Sequence, residues 1–261
     1  MKGARAMRRR LAEGKRAMGS FVCELRSPAV AGFLAREGFD FLLVDTEHGI
    51  FDPREVEAHI AAARNAGLCP LVRVSTADRA EVMRALDAGA EGIMVPMVRS
   101  LDDAREAVAH SKYPPLGQRG AHFARPHVDF SPPADAGAYM DEANRALLTV
   151  LQIETLEAAE IVDELAALEG VDMLYIGPGD LSIALGHPGQ VDHPEVLEVV
   201  GRMVRACREH GKLAGSHFND TAHLAALAEL GVQVYGFGAV VRMLAAGVAG
   251  QAAAARQALG E

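Results

Sequence analysis

Short apolar runs alternate with helical patterns along the length of this chain. Eight runs of four to eight residues are rich in Val, Leu, Ile and Phe, which is typical of strands buried on both faces of a parallel sheet. Between most of them, apolar residues recur at helical spacing. Strands are predicted at 21–25, 41–45, 71–74, 93–98, 147–154, 173–176, 213–218 and 234–237. Helices are predicted at 29–37, 53–65, 79–88, 101–111, 155–168, 194–210 and 221–230.

Glycine stands where several predicted helices end and the next strand begins. Glycine adopts the left-handed backbone conformation of a helix end without strain. The glycines in this position are Gly38, Gly67, Gly89, Gly170, Gly211 and Gly231. No G-x-G-x-x-G fingerprint follows the first strand. Eight strand and helix repeats in 261 residues favour a closed α/β barrel, the (β/α)8 TIM barrel, over an open doubly wound sheet. We predict one such domain over residues 1–261.

Two terminal segments lie outside this repeat. Seven of the 26 basic residues fall within the first sixteen positions, and Ala6, Met7 and Leu11 among them predict an amphipathic N-terminal helix that caps the barrel. Residues 244–259 are rich in alanine and predict an extra C-terminal helix. That helix packs either on its own barrel or on a neighbouring subunit.

A segment of about thirty residues, 113–144, interrupts the alternation of strands and helices after the fourth strand. It contains five prolines and has no clear periodicity. Loops of this length are usually functional or disordered. Because the segment carries Arg119, His122, Arg125 and His127, we expect it to fold over the mouth of the barrel.

Composition and charge exclude several classes of protein. A formal net charge of −9 argues against a nucleic-acid partner, since binding phosphates needs a concentrated basic surface. No apolar run reaches the roughly 18 residues needed to span a membrane, and the N-terminus lacks the apolar core of a secretory signal. Cys23, Cys69 and Cys207 are widely spaced and odd in number. They are interpreted as reduced thiols of a cytoplasmic protein.

Candidate catalytic groups follow the second and third strands. In a barrel of this type, working residues lie at the carboxyl ends of the strands. His48 follows Asp45 closely enough to be oriented by it and to transfer protons near neutral pH, although Asp45 and Glu47 are equally suited to capping the loop. Arg73 interrupts an apolar strand and offers planar donors to a carboxylate or an enolate oxygen.

Acidic side chains end the fifth and sixth strands. Gln152 and Glu154 are two residues apart and therefore face the same side of a strand. Glu154 and Asp180 are each suited to capping the helix that follows, but two acids at neighbouring strand ends favour a shared metal site. Their oxygen ligands favour Mg²⁺ or Mn²⁺. Gly177 and Gly179 would let backbone N–H groups approach a bound anion.

Several of these residues form an ordered pattern that matches a known family. The chain resembles the HpcH/HpaI family of class II pyruvate-dependent aldolases, which includes 4-hydroxy-2-oxoheptanedioate and 2-dehydro-3-deoxyglucarate aldolases, from about Gly19 to Gly238. The matching motifs are Asp45-x-Glu47-His48-Gly49, Arg73, Val95-Pro96-Met97-Val98, Tyr113-Pro114-Pro115-x-Gly117-x-Arg119-Gly120, Gln152-x-Glu154 and Gly177-Pro178-x-Asp180-Leu181-Ser182.

The resemblance implies a metal-dependent barrel that reversibly cleaves 4-hydroxy-2-oxo acids into pyruvate, or a related 2-oxo acid, and an aldehyde. Glu154 and Asp180 resemble the family's ligands to a divalent metal ion (Mg²⁺ or Mn²⁺, with Co²⁺ as a further candidate), and Gln152 a substrate-binding residue beside them.

The same resemblance implies roles for the remaining motif residues. Arg73 would hold the 2-oxo oxygen and stabilise the enolate, and His48 with Asp45 would act through water on the hydroxyl proton. The amides around Gly179 and Asp180 would receive the pyruvate carboxylate. The family also implies a homohexamer built as a dimer of trimers.

Two departures from the family pattern concern the aldehyde half of the substrate. His217 stands on the seventh strand where an apolar residue is expected. It is either a group of the substrate pocket or a histidine of the core. Residues 121–125, after Arg119, also differ from the commoner version with small residues.

Other functions remain as alternatives. The same chemistry would serve another enolate-forming carbon–carbon lyase or a condensing enzyme, and a non-catalytic barrel that binds an oxo acid would keep the pocket without turnover. A Schiff-base aldolase is disfavoured because no lysine stands at an inner strand end, and the chain's lysines are Lys2, Lys15, Lys112 and Lys212. A binuclear zinc hydrolase is disfavoured because no H-x-H pair ends a strand.

Overall fold

The computed structural model describes residues 1–260 and contains a closed barrel of eight parallel strands in sequential order. This architecture confirms the predicted (β/α)8 fold. The strands are β1 (Ala17–Val22), β2 (Phe41–Asp45), β3 (Cys69–Arg73), β4 (Gly92–Val95), β5 (Leu148–Ile153), β6 (Met173–Ile176), β7 (Leu213–Phe218) and β8 (Val234–Ala239).

Helices follow the strands around the outside of the barrel. They are α1 (Lys2–Ala12), α2 (Val30–Arg36), α3 (Pro53–Ala66), α4 (Arg79–Asp87), α5 (Leu101–Ser111), α6 (Ala136–Ala146), α7 (Leu156–Glu160), α8 (Val162–Ala167), α9 (Pro178–Ala184), α10 (Pro194–Glu209), α11 (Thr221–Leu230) and α12 (Val240–Leu259). Within residues 1–260, no helix is both long and apolar enough to cross a membrane.

Several of the predicted boundaries coincide with those of the structure. β2, β6, β7, α5 and α11 begin and end as predicted. The first strand is displaced, because pairing with β2 and β8 selects Ala17–Val22 over residues 21–25. The single helix predicted at 155–168 is divided at Ile161 into α7 and α8.

Side chains on each strand alternate between the barrel interior and the surrounding helices. On β2, Phe41 and Leu43 belong to the interior cluster, whereas Leu42 and Val44 pack outward with the helices. Leu71 on β3 and Val150 on β5 are likewise interior. Because alternation has a period of two residues, the same parity directs the side chains of the last residues of β2 and β3 toward the barrel mouth.

Glycine makes room for the largest side chain in the barrel interior. Tyr175 on β6 is fully buried, and a Cβ atom at Gly215 on β7 or Gly236 on β8 would overlap its ring or its hydroxyl. Two neighbouring strands therefore carry glycine because the interior cannot hold three bulky residues in one layer.

Helix α1 closes the amino end of the barrel. Ala4, Met7 and Leu11 are buried against the interior cluster, while Ala6 is exposed, contrary to the expected inward face. The buried carboxylate of Glu91 accepts hydrogen bonds from the backbone N–H groups of Lys2 (3.0 Å) and Ala4 (2.6 Å). These N–H groups have no partner within the helix, so Glu91 attaches the start of α1 to the barrel.

The segment 113–144 does not cover the barrel mouth, and that expectation is wrong. It contains a 3-10 turn at Pro126–Val128 and most of helix α6. Arg119 and His127 are buried beside Asp87 at the end of α4, and none of the four expected residues lines the mouth. Arg64 on α3 donates a hydrogen bond to the Pro126 carbonyl. These contacts hold the segment on the outer flank, because they pair buried charges there.

A buried lysine stabilises the base of the barrel. Lys112 is 1% exposed, and its Nζ donates to the carbonyls of Asn144 (3.0 Å) and Leu147 (2.8 Å) and to Oδ2 of Asp172 (2.7 Å). Burial lowers the pKa of Lys112 although Asp172 opposes the shift. Lys212 likewise donates to backbone carbonyls, and neither lysine reaches the mouth, which agrees with the exclusion of Schiff-base chemistry.

We predict that Lys112→Met lowers the free energy of unfolding by about 2 kcal/mol, since the carbonyl of Asn144 loses this buried donor and Asp172 keeps only Arg8 as a cationic partner. Urea denaturation measures this difference. Lys15→Met is the control, because Lys15 is well exposed and its replacement should change stability by only about 0.5 kcal/mol. Equal losses in both variants would contradict a structural role for Lys112.

Candidate active site

A cavity of about 340 Å³ opens at the carboxyl end of the barrel. Its lining combines charged residues with glycine and a few aromatic rings. The residues that line it include Phe21, Cys23, Glu24, Asp45, His48, Arg73, Gln152, Tyr175, Gly177, Gly179, Asp180, His217, Asn219 and Arg242. Seven of the candidate residues are therefore brought to one cavity, namely Asp45, His48, Arg73, Gln152, Gly177, Gly179 and Asp180.

Arg73 is held between two carboxylates. Its Nε and Nη2 donate to the two oxygens of Asp45 at 2.9 and 2.6 Å, and its Nη1 lies 2.9 Å from Oε2 of Glu47. Asp45 and Arg73 are paired across β2 and β3 and end their strands together. The guanidinium also lies 5.4 Å from the centre of the Phe21 ring. These contacts fix the plane of the guanidinium at the floor of the cavity.

Asp45 is a fully buried acceptor. Burial acts to raise its pKa, but the hydrogen bonds and the charge of Arg73, together with the backbone N–H of Glu47, hold the pKa below its ordinary value. Its Oδ1 also accepts the backbone N–H groups of Glu47 (3.1 Å) and His48 (3.4 Å). Asp45 is thus ionised and committed to Arg73 and to the turn after β2.

Cys23 lies beside this carboxylate. Its Sγ is 3.4 Å from Oδ2 of Asp45. Burial, assisted by the negative charge of Asp45, raises the pKa of the Cys23 thiol to about 12. The thiol therefore stays protonated and is not a nucleophile at neutral pH.

Glu154 is a buried carboxylate at the end of β5. It is 2% exposed, and its Oε1 accepts the backbone N–H of Met97 at 2.8 Å while its Oε2 accepts from Nε2 of Gln152. Burial raises its pKa to about 7, and the charges of Glu47 and Asp180 act in the same direction. Among residues 1–260 no direct ion pair compensates its charge, so this carboxylate favours binding a proton or a cation.

The backbone around Glu154 is shaped to fit it. Met97, after β4, has a φ of +52°, a strained conformation for a residue with a side chain, and this conformation accompanies the hydrogen bond from its N–H to Glu154. A Cβ atom at Gly177 would overlap Oε2 of Glu154 and would crowd Gln152. The sequence pattern included both residues but did not reveal these roles.

Asp180 follows β6, the neighbour of the strand that ends before Glu154. It is exposed in the first turn of α9 and acts through its charge on both Glu154 and Glu47.

Burial raises the pKa of Glu47, although Arg73 opposes the shift. The sequence indicates Glu47 as a loop cap and as part of the matching motif, and its proximity to Arg73 and Glu154 depends on the turn after β2. A signal for it was the clustering of acids at three strand ends.

His48 differs in its environment from Asp45 and Arg73. It is exposed at the cavity rim, and its bond to Asp45 runs through the backbone N–H and not through the imidazole. Because Arg73 occupies both oxygens of Asp45, the ring of His48 is free to face a ligand or a water molecule.

The opposite wall carries His217, Asn219 and Arg242. The ring of His217 packs edge-on against Phe21 with centroids 5.0 Å apart, and its Nδ1 is buried without a hydrogen-bond partner. Burial lowers its pKa to about 4, and Arg73 and Arg242 add to the effect. His217 is therefore a neutral imidazole that lines the cavity.

The donors present fit a hard divalent cation. Glu154 and Asp180 supply carboxylate oxygens, and the buried Oε1 of Gln152 has no hydrogen-bond partner. Each carboxylate oxygen of Glu154 accepts a single hydrogen bond and retains a lone pair. An oxygen-only donor set with an excess of negative charge is typical of Mg²⁺ or Mn²⁺ sites.

Comparisons with known proteins agree with this geometry. The sequence model of the HpcH/HpaI aldolase/citrate lyase family matches residues 18–244. A 2-dehydro-3,6-dideoxy-6-sulfogluconate aldolase of Pseudomonas putida is 39% identical over 72% of this chain and 73% of its own length. A pyruvate aldolase of Rhizobium etli is 35% identical over 92% of this chain and 93% of its own. The crystal structure of an HpcH/HpaI aldolase from Desulfitobacterium hafniense superposes with a TM-score of 0.87 at 35% identity, covering 95% of each chain.

We predict that Glu154 makes the metal-free protein less stable as the pH rises. The unfolded chain releases this proton near pH 4.5 and the folded chain near pH 7, so the folded state binds more protons within that window. The free energy of unfolding therefore falls by about 3 kcal/mol across it and recovers as the pH is lowered.

Glu154→Gln should remove this dependence and make the chelator-treated protein more stable than the parent at pH 8. The Gln152 amide can reorient to accept from the new amide, because its Oε1 has no other partner. Urea denaturation at pH 5 and pH 8 measures the effect, with exposed Glu164→Gln as control. Identical pH profiles for the parent and Glu154→Gln would contradict the prediction.

Proposed function

Because this chain belongs to the HpcH/HpaI aldolase/citrate lyase family, a family of carbon–carbon lyases, we propose that its barrel mouth joins pyruvate to an aldehyde and cleaves the resulting 4-hydroxy-2-oxo acid. The observation that carries the proposal is that Asp180 and Arg73 line the cavity and that the charges of both act on the buried carboxylate of Glu154. Retro-aldol cleavage leaves negative charge on the oxygen of an enolate. A site for that reaction must therefore present positive charge there.

The metal site is proposed at Glu154 and Asp180, with Gln152 beside them. A bound divalent cation would act as a Lewis acid toward the 2-oxo oxygen and lower the energy of the enolate. We propose Mg²⁺ or Mn²⁺, with Co²⁺ as a further candidate. The oxygen donors and the raised pKa of Glu154, caused by its burial, support this choice.

Arg73 is proposed to hold the 2-oxo oxygen. Asp45 and Glu47 engage its Nε, Nη1 and Nη2. Each of the two terminal nitrogens carries a second N–H, which would serve a substrate in the cavity that Arg73 lines. The two carboxylates thus orient the guanidinium before the substrate arrives, so no reorganisation is needed when negative charge develops.

The pyruvate carboxylate is assigned to the backbone at Gly179 and Asp180. Both residues lie in the first turn of α9, where N–H groups have no partner within the helix. The absence of a Cβ atom at Gly179 leaves the approach to these groups open.

Proton transfer is assigned to His48, which would act through a water molecule on the hydroxyl group of the substrate. Its exposed position at the rim suits exchange with solvent. Asp45 contributes indirectly, since it fixes the backbone of the turn that carries His48. The aldehyde half of the substrate would meet His217, Asn219 and Arg242, which offer hydrogen bonds on the wall opposite the acids.

Assembly and location are also part of the proposal. We propose a homo-oligomer, a hexamer built as a dimer of trimers, with small-molecule substrates as its other partners. Exposed apolar residues on α2 and α12 support contact between subunits, since Phe33, Leu244 and Val248 are each more than half exposed. A cytoplasmic location is supported by the three cysteines, which are free thiols.

We predict that the chelator-treated protein releases no pyruvate from 4-hydroxy-2-oxo acids and that adding Mg²⁺, Mn²⁺ or Co²⁺ restores release. Coupled oxidation of NADH by lactate dehydrogenase measures the pyruvate. Glu154→Ala and Asp180→Ala should abolish the restored activity, because each removes one of two ligands, while exposed Glu164→Ala keeps it. Metal binding without turnover across a series of aldehyde lengths would overturn the aldolase proposal.

We predict that His48→Ala lowers kcat by about 10²-fold or more but leaves pyruvate affinity unchanged, since general acid–base groups act on the transition state. Steady-state kinetics give kcat, and calorimetric titration of pyruvate in the presence of Mg²⁺ gives the affinity. His122→Ala is the control, because His122 is exposed and distant from the cavity lining. Equal losses of kcat and of affinity would contradict the assigned role.

A further inference from the structure

A second cluster of metal-ligating side chains lies outside the barrel mouth, in the connection from α9 to α10. His187 and His193 belong to this connection, and Glu195 lies in the first turn of α10. One ring nitrogen of each histidine and one oxygen of the glutamate lie within 4.8 Å of one another. None of the three lines the mouth cavity. Within residues 1–260, no other three His, Cys, Asp or Glu side chains bring their ligand atoms so close.

The three side chains meet at the surface of the protein, and burial of apolar area does not hold them together. The two imidazole rings stack with centroids 3.4 Å apart and an angle of 20° between their planes. Nε2 of His187 lies 3.2 Å from Oε1 of Glu195, whose side chain is 55% exposed. Because all three groups keep contact with solvent, burial of apolar surface contributes little to their association, and an ion can reach them without unfolding of the chain.

The backbone of the connection holds the two histidines together. The N–H of His187 donates to the Ser182 carbonyl at 2.7 Å, and the N–H groups of Gln190 and His193 donate to the carbonyls of His187 and Gln190, both at 3.0 Å. These two successive turns return the chain so that the rings face each other. The connection is also attached to α11, because Asp192 accepts a hydrogen bond from buried His223. The cluster is therefore built on a fixed segment.

The donor set differs in kind from that of the barrel mouth. Two imidazole nitrogens and one carboxylate form a typical set for zinc and its neighbours in the first transition series, whereas Mg²⁺ selects oxygen donors. Atoms that share one tetrahedral Zn²⁺ lie roughly 3.3 Å apart, since Zn–N bonds are about 2.0–2.1 Å long. The separation of Nε2 of His187 from Oε1 of Glu195, 3.2 Å, already matches this distance.

We propose that His187, His193 and Glu195 form a second metal site, which binds Zn²⁺ or a similar borderline transition-metal ion with water in the fourth position. The site is independent of the proposed aldol reaction. A metal bound there joins the connection to the start of α10 and so restrains the segment that follows α9, the helix that carries Asp180 in its first turn.

The test is a calorimetric titration of Zn²⁺ into the Glu154→Gln/Asp180→Asn double variant with excess Mg²⁺ present. The two substitutions remove the proposed metal ligands of the barrel mouth from competition, so the titration reports the second cluster. One equivalent of Zn²⁺ is expected to bind, and His187→Gln added to this background should lower the affinity by at least about tenfold, since one of three protein ligands is lost. Absence of Zn²⁺ binding, or binding that His187→Gln leaves unchanged, would overturn the proposal.

Two further variants separate metal binding from local structure. His193 caps α10 by accepting the N–H of Glu195, so His193→Asn removes the imidazole and keeps a good capping residue. This variant should lose Zn²⁺ affinity as His187→Gln does. His210→Asn, an exposed histidine at the other end of α10, should bind Zn²⁺ as the double variant does. As a second readout, Zn²⁺ should raise the melting temperature of the double variant but not that of the same protein carrying His187→Gln.

Discussion

Side chains on each strand of the barrel alternate between the axis and the surrounding helices, and this alternation decides where charged groups can lie. The lower layers of the interior are apolar, with Tyr175 filling the centre opposite glycine on β7 and β8. The same parity then brings Asp45, Arg73 and Gln152 to the open end. The charged groups of Asp45 and Arg73 therefore lie outside the dry interior. They are still buried enough that solvent screens their mutual attraction only weakly.

Charge at the mouth is unbalanced, and this imbalance has chemical consequences. Asp45 and Glu47 neutralise Arg73 and fix its orientation, while Glu154 has only hydrogen bonds from Met97 and Gln152. The pKa of Glu154 rises to about 7 because burial penalises its charge. A cation would offset that penalty, which is the physical reason for the metal site proposed there. The strained backbone at Met97 and the missing Cβ at Gly177 serve the same carboxylate.

The connections around the barrel are held in place by different contacts. The segment that follows α5 is attached to the outer flank through Arg119, His127 and Asp87, and it leaves the mouth open. The connection from α9 to α10 begins next to the mouth and carries the imidazole cluster of His187 and His193. The two segments thus lie in different places because different partners hold them: a buried acid in one case, and the segment's own turns with an anchor on α11 in the other.

The sequence by itself determined the repeating architecture and most of the candidate site. Apolar runs of strand length, helical spacing and glycine at helix ends require no knowledge of distant contacts, so eight strands and the residues at their carboxyl ends were predictable. The limits of the first strand were not, because hydrogen bonding to β2 and β8 selects them.

Tertiary structure alone decided which groups meet. Asp45 accepts hydrogen bonds from Arg73 and not from the ring of His48. Glu47 also lies against Arg73. Arg119 pairs with Asp87 on the outer flank and does not line the mouth. Each of these outcomes depends on the direction of a side chain and on the pairing of buried charges across the fold, which neither periodicity nor local propensity encodes.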